Sequence, residues 1–211
     1  MNPDIIIRRA ELKEIPSITA IQTHYALNTV LTFATSGLTE SEFEDRFHNI
    51  VSENQLPFLV AVLPTTSQIK AGTQSETEQT GDVVVGYTYI SPFRPSLQAY
   101  THTGELCLFI HPEHLYQGIG SKLLKALLEA CKQSRIKEVL AVMAVDVETR
   151  GGGLGLRDWY VGWGFREVGK MERVGWKFGR WVDVNFLQLH VEGKEDEGSA
   201  DETEKAVAHA V

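Results

Sequence analysis

I-H-P-E-H-L-Y-Q-G-I-G-S-K-L-L-K-A-L-L, residues Ile110 to Leu128, joins an apolar run (Leu106 to Ile110) to a Pro-containing turn, a Gln-Gly-Ile-Gly loop and a segment with Leu123, Leu124, Leu127 and Leu128 at helical spacing. The pattern predicts strand, loop and helix, with glycines at the helix start. Gly118 and Gly120 allow a ligand to approach the backbone closely. The first-turn N–H groups have no partner within the helix and point outward with the positive end of its dipole. The chemistry this suits is binding of a phosphate or pyrophosphate.

The chain around this unit has 211 residues, 43% of them hydrophobic, enough to bury one sizeable core and predicting a single domain. Its formal charge of -8 is uneven: Glu192 to Lys205 holds seven acidic residues against two lysines, so -5 sits there and -3 elsewhere. A nucleic-acid binder is ordinarily basic, so that class is disfavoured. There is no apolar run long enough to span a membrane, and Met-Asn-Pro-Asp-Ile lacks the basic and apolar regions of a signal peptide. A soluble, cytoplasmic protein is expected. Cys107 and Cys131 both lie in apolar settings, which fits a reducing compartment rather than a disulfide framework.

Before the opening stretch, Ile5 to Arg8 is a short apolar run, followed by a helix expected over Pro16 to Leu27 and a loop from Asn28 to Gly37 that carries Phe33. Thr39 and Glu42 form a capping box ahead of the stripe Phe43, Phe47, Ile50 and Val51. Strands follow at Phe58 to Leu63 and Val83 to Ile90. Between them residues 64–82 turn to Thr, Ser, Gln, Gly and Glu, read as a hairpin insertion. Ser91 to Thr103 is irregular. Past the opening stretch, V-L-A-V-M-A-V within Glu138 to Asp146 predicts a strand buried on both faces. A glycine loop (Gly151 to Gly155), a helix (Leu156 to Trp163) and strands at Phe165 to Met171 and Val182 to Val191 complete the core, and residues 192–211 form an acidic tail without a core-forming pattern. The order β α α β β β α β α β β predicts an α/β (α+β) layer structure: a mixed, mostly antiparallel sheet with flanking helices and one parallel β-α-β crossover, beside which a cofactor would sit.

With these residues assembled, the chain resembles the GNAT N-acetyltransferases, and within them the phosphinothricin acetyltransferase group. The resemblance runs from Ile5 to Leu189, outside the 64–82 insertion and the tail. It is carried by His24-Tyr25 with Thr29 to Phe33, Gly86-Tyr87-Thr88-Tyr89, Tyr100 to Glu105, His111 to His114 with Gln117 to Gly120, Trp163-Gly164-Phe165, and Val174 to Asp183 with Gln188. It implies acetyl-CoA as co-substrate, lying where the 105–110 strand splays from the 138–146 strand. Backbone groups of Leu108, Phe109 and Ile110 would pair with the pantetheine arm, and Tyr116, Gln117, Gly118, Ile119, Gly120 and Ser121 would hold the pyrophosphate. Three positions differ from the family pattern: Leu115 stands where Arg or Gln is usual, Tyr116 where glycine is common, and Arg150-Gly151-Gly152-Gly153 where many relatives carry a cofactor-contacting asparagine.

Acetyl transfer to an amine requires the ammonium to lose a proton, because only the lone pair attacks. Glu105 matches the family's glutamate and is expected to be the general base; read from its position alone it is an edge carboxylate. Tyr160 stands where relatives carry a proton donor for the departing thiolate, and by itself reads as core beside Trp159 and Trp163. A backbone N–H near Ile110 would meet the oxyanion. For the acceptor, Arg94 is a candidate carboxylate clamp, with Tyr100 and Phe33 as walls; a solvated arginine and two packed aromatics are the alternative.

His111 and His114 flank Pro112 with no third ligand at metal spacing, so no metal site is expected. Gly151 to Gly155 fails the dinucleotide fingerprint, since a glycine pair at 151 and 153 puts Leu156 third and the pair at 153 and 155 puts Asp158 third. Cys107 has no neighbouring group in sequence that would activate it. The expected function is direct acetylation of the free amine of a small amino-acid-like substrate of the phosphinothricin or methionine sulfone type. Polyamine or peptide N-terminal acetylation, or a non-catalytic acyl-CoA-binding module, are the alternatives. A homodimer is implied by the resemblance alone.

Overall fold

The computed structural model describes residues 5–64, 82–148 and 151–192. Residues 65–81 of the expected 64–82 insertion, Arg150, and residues 193–211 of the expected 192–211 tail lie outside the described residues. The elements are β1 (Ile6–Arg9), α1 (Ile15–Asn28), α2 (Glu40–His48), β2 (Phe58–Leu63), β3 (Val83–Pro92), β4 (Thr103–Ile110), α3 (Ile119–Lys132), β5 (Glu138–Val145), α4 (Gly155–Gly162), β6 (Arg166–Lys177) and β7 (Arg180–His190). They occur in the expected order. The strands make one seven-stranded sheet, ordered β1-β2-β3-β4-β5-β7-β6. All neighbours are antiparallel except β4 and β5, the pair joined by the α3 crossover.

Local chemistry accounts for the helix boundaries. Pro16 opens α1, where its missing N–H costs nothing. At α2 the Thr39 hydroxyl accepts from the Glu42 N–H at 3.2 Å and the Glu42 carboxylate accepts from the Thr39 N–H at 2.8 Å, closing the capping box. The chain then continues through a π-type turn, Asn49–Glu53, that carries Ile50 into the core. In α3, Ile119, Leu123, Leu124, Leu127 and Cys131 form a buried stripe, with Leu128 at its margin.

The helices cover both faces of the sheet unequally, and that inequality makes the site. Tyr87, packed against Phe43 of α2, lies opposite Phe109, which packs on Tyr25 of α1, so the odd-numbered β4 residues face α1 and α2. Gly86 approaches Leu123 of α3, and Gly120 lies near both Leu108 and Trp159 of α4, so the even-numbered residues face α3 and α4. Leu140 and Val142 of β5 are aligned with the odd-numbered face, beyond the cover of α1 and α2. They are consequently half-buried, which corrects the expectation of a strand buried on both sides.

The sequence reading also ended a strand at Met171 and began the next at Val182. One long hairpin runs through this region instead, turning at Phe178 (φ 50°) and Gly179 (φ 74°) between paired Lys177 and Arg180. Its β6 strand is largely exposed, so it shows no clean alternation, and register breaks between Glu167 and Gly169 and between Met171 and Gly175 disturb the period further.

Candidate active site

Pairing of β4 with β5 stops at Leu106–Ala141, although β4 continues to Ile110 and β5 to Val145. Beyond that point the strands part. The ladder to β3 decides which backbone groups face the gap. The His111 N–H donates to the Val85 carbonyl at 2.9 Å and the Phe93 N–H to the Thr103 carbonyl at 3.2 Å, so the odd-numbered residues between them direct their polar groups to β3. Those of Leu108 and Ile110 point across the gap. Phe109 instead spends its backbone groups on β3 and contributes its ring. The gap opens into a cavity of about 470 Å³ lined by Leu106 to Ile110, by Val142, Met143 and Ala144 of β5, and by Glu105 and Tyr160.

At one end stands the loop into α3. Gly118 caps the helix with φ 76°, a left-handed conformation that costs an L-residue about 1–2 kcal/mol. Ile119 anchors the first turn in the core, while Tyr116 (φ 61°) and Gln117 are exposed. The first turn of α3 contains no acidic residue, leaving its N–H groups and the half-buried Ser121 available to an anion. Upstream, the His111 imidazole Nδ1 accepts from the Glu113 N–H at 3.3 Å, holding the short turn over Pro112 to His114.

Glu105 and Tyr160 reach this cavity from opposite faces of the sheet. Glu105 pairs with Ser91 and Leu140 on the α1/α2 face, and burial raises its carboxyl above the ordinary range. Tyr160 lies on α4, its ring 5.2 Å from Phe165; burial raises its phenol too, so the hydroxyl stays protonated. Cys107 also lines the cavity. Its thiol is pushed up to about 12 by burial, which suppresses the nucleophilic thiolate.

Of the proposed acceptor residues, Phe33 lines the cavity. Arg94 and Tyr100 do not: Tyr100 lines a separate depression with Phe93, Asn54 and Arg135, and Arg94 lies over the Phe93 ring at 5.4 Å and the Tyr100 ring at 6.0 Å. The β3–β4 connection folds on itself there, tied down by Arg135 bonding to Thr101 and Asn54. Among the polar cavity residues, Tyr25 and Tyr89 are not singled out by the sequence, and Ser91 is marked there only as the start of the irregular 91–100 segment. Tyr25 donates to the Ile110 carbonyl at 2.8 Å, Ser91 to the Glu105 carbonyl at 3.3 Å, and Tyr89 accepts from the exposed Arg46 at 3.3 Å. The only signal for Tyr25 and Tyr89 was membership in the motifs His24-Tyr25 and Gly86 to Tyr89. The His111 and His114 rings meet edge to face at 5.5 Å, and among the described residues no group of three or more His, Cys, Asp or Glu side chains is placed to hold a metal ion. No described helix is long and apolar enough to cross a membrane.

Residues 38–155 match the model of the Acetyltransferase (GNAT) family. The chain is 29% identical to a phosphinothricin N-acetyltransferase of Alcaligenes faecalis, across 83% of this chain and 77% of that protein. It is 28% identical to the L-methionine sulfoximine/L-methionine sulfone acetyltransferase of Salmonella typhimurium, across 88% and 94%. Among solved structures, the GNAT superfamily phosphinothricin acetyltransferase of Sinorhizobium meliloti, in complex with AcCoA, superposes with a TM-score of 0.72 at 29% identity, covering 94% of this chain and 97% of that one. The parted parallel strands, the glycine-capped helix beside them and a family match over more than half the chain lead to one conclusion: this chain belongs to the GNAT acetyltransferase family.

Proposed function

We propose that residues 1–191 act as a single N-acetyltransferase domain that moves the acetyl group of acetyl-CoA directly to the free amine of a small amino-acid-like acceptor of the phosphinothricin or methionine sulfone type. The observation that carries this reading is that Glu105 and Tyr160, on opposite faces of the sheet, line one cavity where β4 has parted from β5. The relatives named for phosphinothricin and for methionine sulfoximine or sulfone support the acceptor class.

The open N–H and carbonyl of Leu108 suit the amides of a pantetheine arm, the Ile110 N–H is left for the thioester end because the Ile110 carbonyl accepts from Tyr25, and the loop from Tyr116 to Ser121 suits the pyrophosphate. Glu105 takes the proton of the acceptor ammonium, directly or through a water. The freed lone pair attacks the thioester carbonyl, and the Ile110 N–H donates to the oxyanion. Collapse of the tetrahedral intermediate forms the amide and breaks the C–S bond; the Tyr160 hydroxyl gives its proton to the departing thiolate, and the second proton lost by the acceptor nitrogen restores the phenol through solvent. Direct transfer is favoured because Cys107, the thiol within the cavity, is held protonated.

The chain is assigned to the cytoplasm, where Cys107 and Cys131, both free, remain thiols. A homodimer would use the β6–β7 hairpin, where Trp176, Phe178 and Trp181 are exposed and Trp176 and Trp181 meet at 5.1 Å; sedimentation of the wild type beside Trp176→Glu tests this.

Thiol release from acetyl-CoA, measured with phosphinothricin, methionine sulfone, amino acids, polyamines and short peptides, tests the function. Release is expected with the amino-acid-like amines and is expected to collapse in Glu105→Gln. Release with polyamines or peptides alone would replace the acceptor class, and CoA binding without release for any amine would make the chain a non-catalytic module.

A further inference from the structure

The segment from Val30 to Phe33 crosses the face of β5 that the helices leave open, and the tip of the β6–β7 hairpin folds down onto it. Val30 packs with Ala144 and Val182 in a small buried cluster of its own. Next to that cluster the Lys177 ammonium donates to the Thr32 carbonyl at 2.7 Å. Lys177 is only 4% exposed, and among the described residues no carboxylate lies within ion-pairing distance of it. A buried ammonium held mainly by a neutral carbonyl is costly, and burial accordingly lowers its pKa. Phe33, the following residue, seats its ring on Gly175, where any Cβ would overlap the ring.

The hairpin reaches this position through a register break: Met171 pairs with Val184, but Gly175 pairs with Val182, leaving three residues between on β6 against one on β7. Such a bulge bends its strand and re-aims the side chains beyond it. The bend is tied down at Asp183, which accepts from the Arg173 N–H at 2.8 Å and pairs with Lys170 at 2.8 Å. Past the bulge, Gly175 and Lys177 are buried while Trp176 and Phe178 between and beyond them are exposed.

We infer that Gly175 and Lys177 are positioning residues for acceptor recognition: Gly175 leaves the room for the Phe33 ring and Lys177 holds the Thr32 peptide beside it, so that Phe33 forms a fixed wall of the cavity and sets the size of the acceptor. The inference rests on the reading of the cavity as an amine-acetylating site. Neither residue lines the cavity, so neither touches substrate; both act through Phe33.

The test compares wild type, Gly175→Ala, Lys177→Met and each of these combined with Phe33→Ala, using amino-acid acceptors of increasing side-chain length. Fluorine NMR of para-fluorophenylalanine at position 33, recorded without substrates, reports the ring directly. Each single variant is expected to shift that resonance, to raise acceptor KM about tenfold and unequally with acceptor size, and to leave the KM of acetyl-CoA unchanged. In the Phe33→Ala background the effect is expected to vanish, because the ring through which it acts is gone. An unmoved resonance, an equal loss for all acceptors, or an effect that persists without Phe33 would overturn the inference even in an active enzyme. A wild type that acetylates no amine would overturn the acceptor role together with the transferase reading, and the resonance would still decide whether Gly175 and Lys177 seat Phe33.

Discussion

The Tyr25 hydroxyl on α1 donates a 2.8 Å hydrogen bond to the carbonyl of Ile110, the last residue of β4. The Tyr25 ring lies 4.7 Å from that of Phe109, so helix and strand are joined by a polar and an aromatic contact at one point. That point is where β5 no longer supplies a neighbour. α1 thus supports the free end of β4 and leaves the Ile110 N–H facing the gap.

Tyr25→Phe keeps the ring and removes the donor. The Ile110 carbonyl borders a cavity that water can enter, so the expected loss is about 1 kcal/mol, seen as a lower urea midpoint at unchanged slope. The KM for acetyl-CoA should rise, because the strand that would carry the pantetheine arm loses its outer support. An unchanged midpoint and KM would mean that the hydrogen bond does neither.

Glu105→Gln is expected to lower kcat by about 10²–10⁴, the usual span for a general base. Burial raises the Glu105 carboxyl above its ordinary value of about 4.3, so the wild-type acid limb of kcat/KM should lie above that value and be absent from the variant.

The same carboxyl carries a stability prediction of known sign. The folded protein holds the Glu105 proton to higher pH than the unfolded chain does, so its stabilising effect is full below the unfolded pKa and is lost as pH rises through the folded one. Above that window the charged, partly buried carboxylate opposes folding. Glu105→Gln should therefore melt above wild type at neutral pH, and the gap should close toward about pH 3. Thermal melts at the two pH values check this.

Tyr160→Phe removes a phenol whose pKa burial has raised, so its donor role survives alkaline pH. The variant is expected to lose at least about tenfold in kcat with thiol release slowed and both KM values little changed. Equal kcat would leave Tyr160 a packing residue beside Phe165.

At Gly118 a methyl group would meet no atom within 4 Å, yet the φ of 76° disfavours any L-residue. Gly118→Ala should therefore cost about 1–2 kcal/mol through the backbone, and it should weaken acetyl-CoA binding as the loop relaxes to a different conformation. Calorimetric titration with CoA, beside a denaturation curve, separates the two effects.

Elements held by local chemistry were legible in the chain. The Thr39–Glu42 capping box and the leucine stripe of α3 each announce their helix from residues a few positions apart, and both form as read. The β6–β7 hairpin was not legible between residues 171 and 182, because an exposed strand has no buried face to impose alternation and its bulges break the period. In the site, the resemblance named Glu105, Tyr160 and Phe33, and all three line the cavity. It also pointed to Arg94 and Tyr100, which stack with Phe93 elsewhere.

The order of elements, the parallel crossover and the glycine-capped helix start are written in local patterns, since hydrophobic period, capping and turn preferences act over a few residues. Where β4 and β5 part, which backbone groups face the gap, that Tyr25 and Phe33 line it, and that Gly175 and Lys177 stand behind Phe33 and Thr32 are set by tertiary contacts. Those contacts join residues as far apart as Thr32 and Lys177, and their geometry depends on strand register, a bulge and the uneven cover of one sheet face. No local pattern encodes a distance between segments that meet only after the whole sheet has formed.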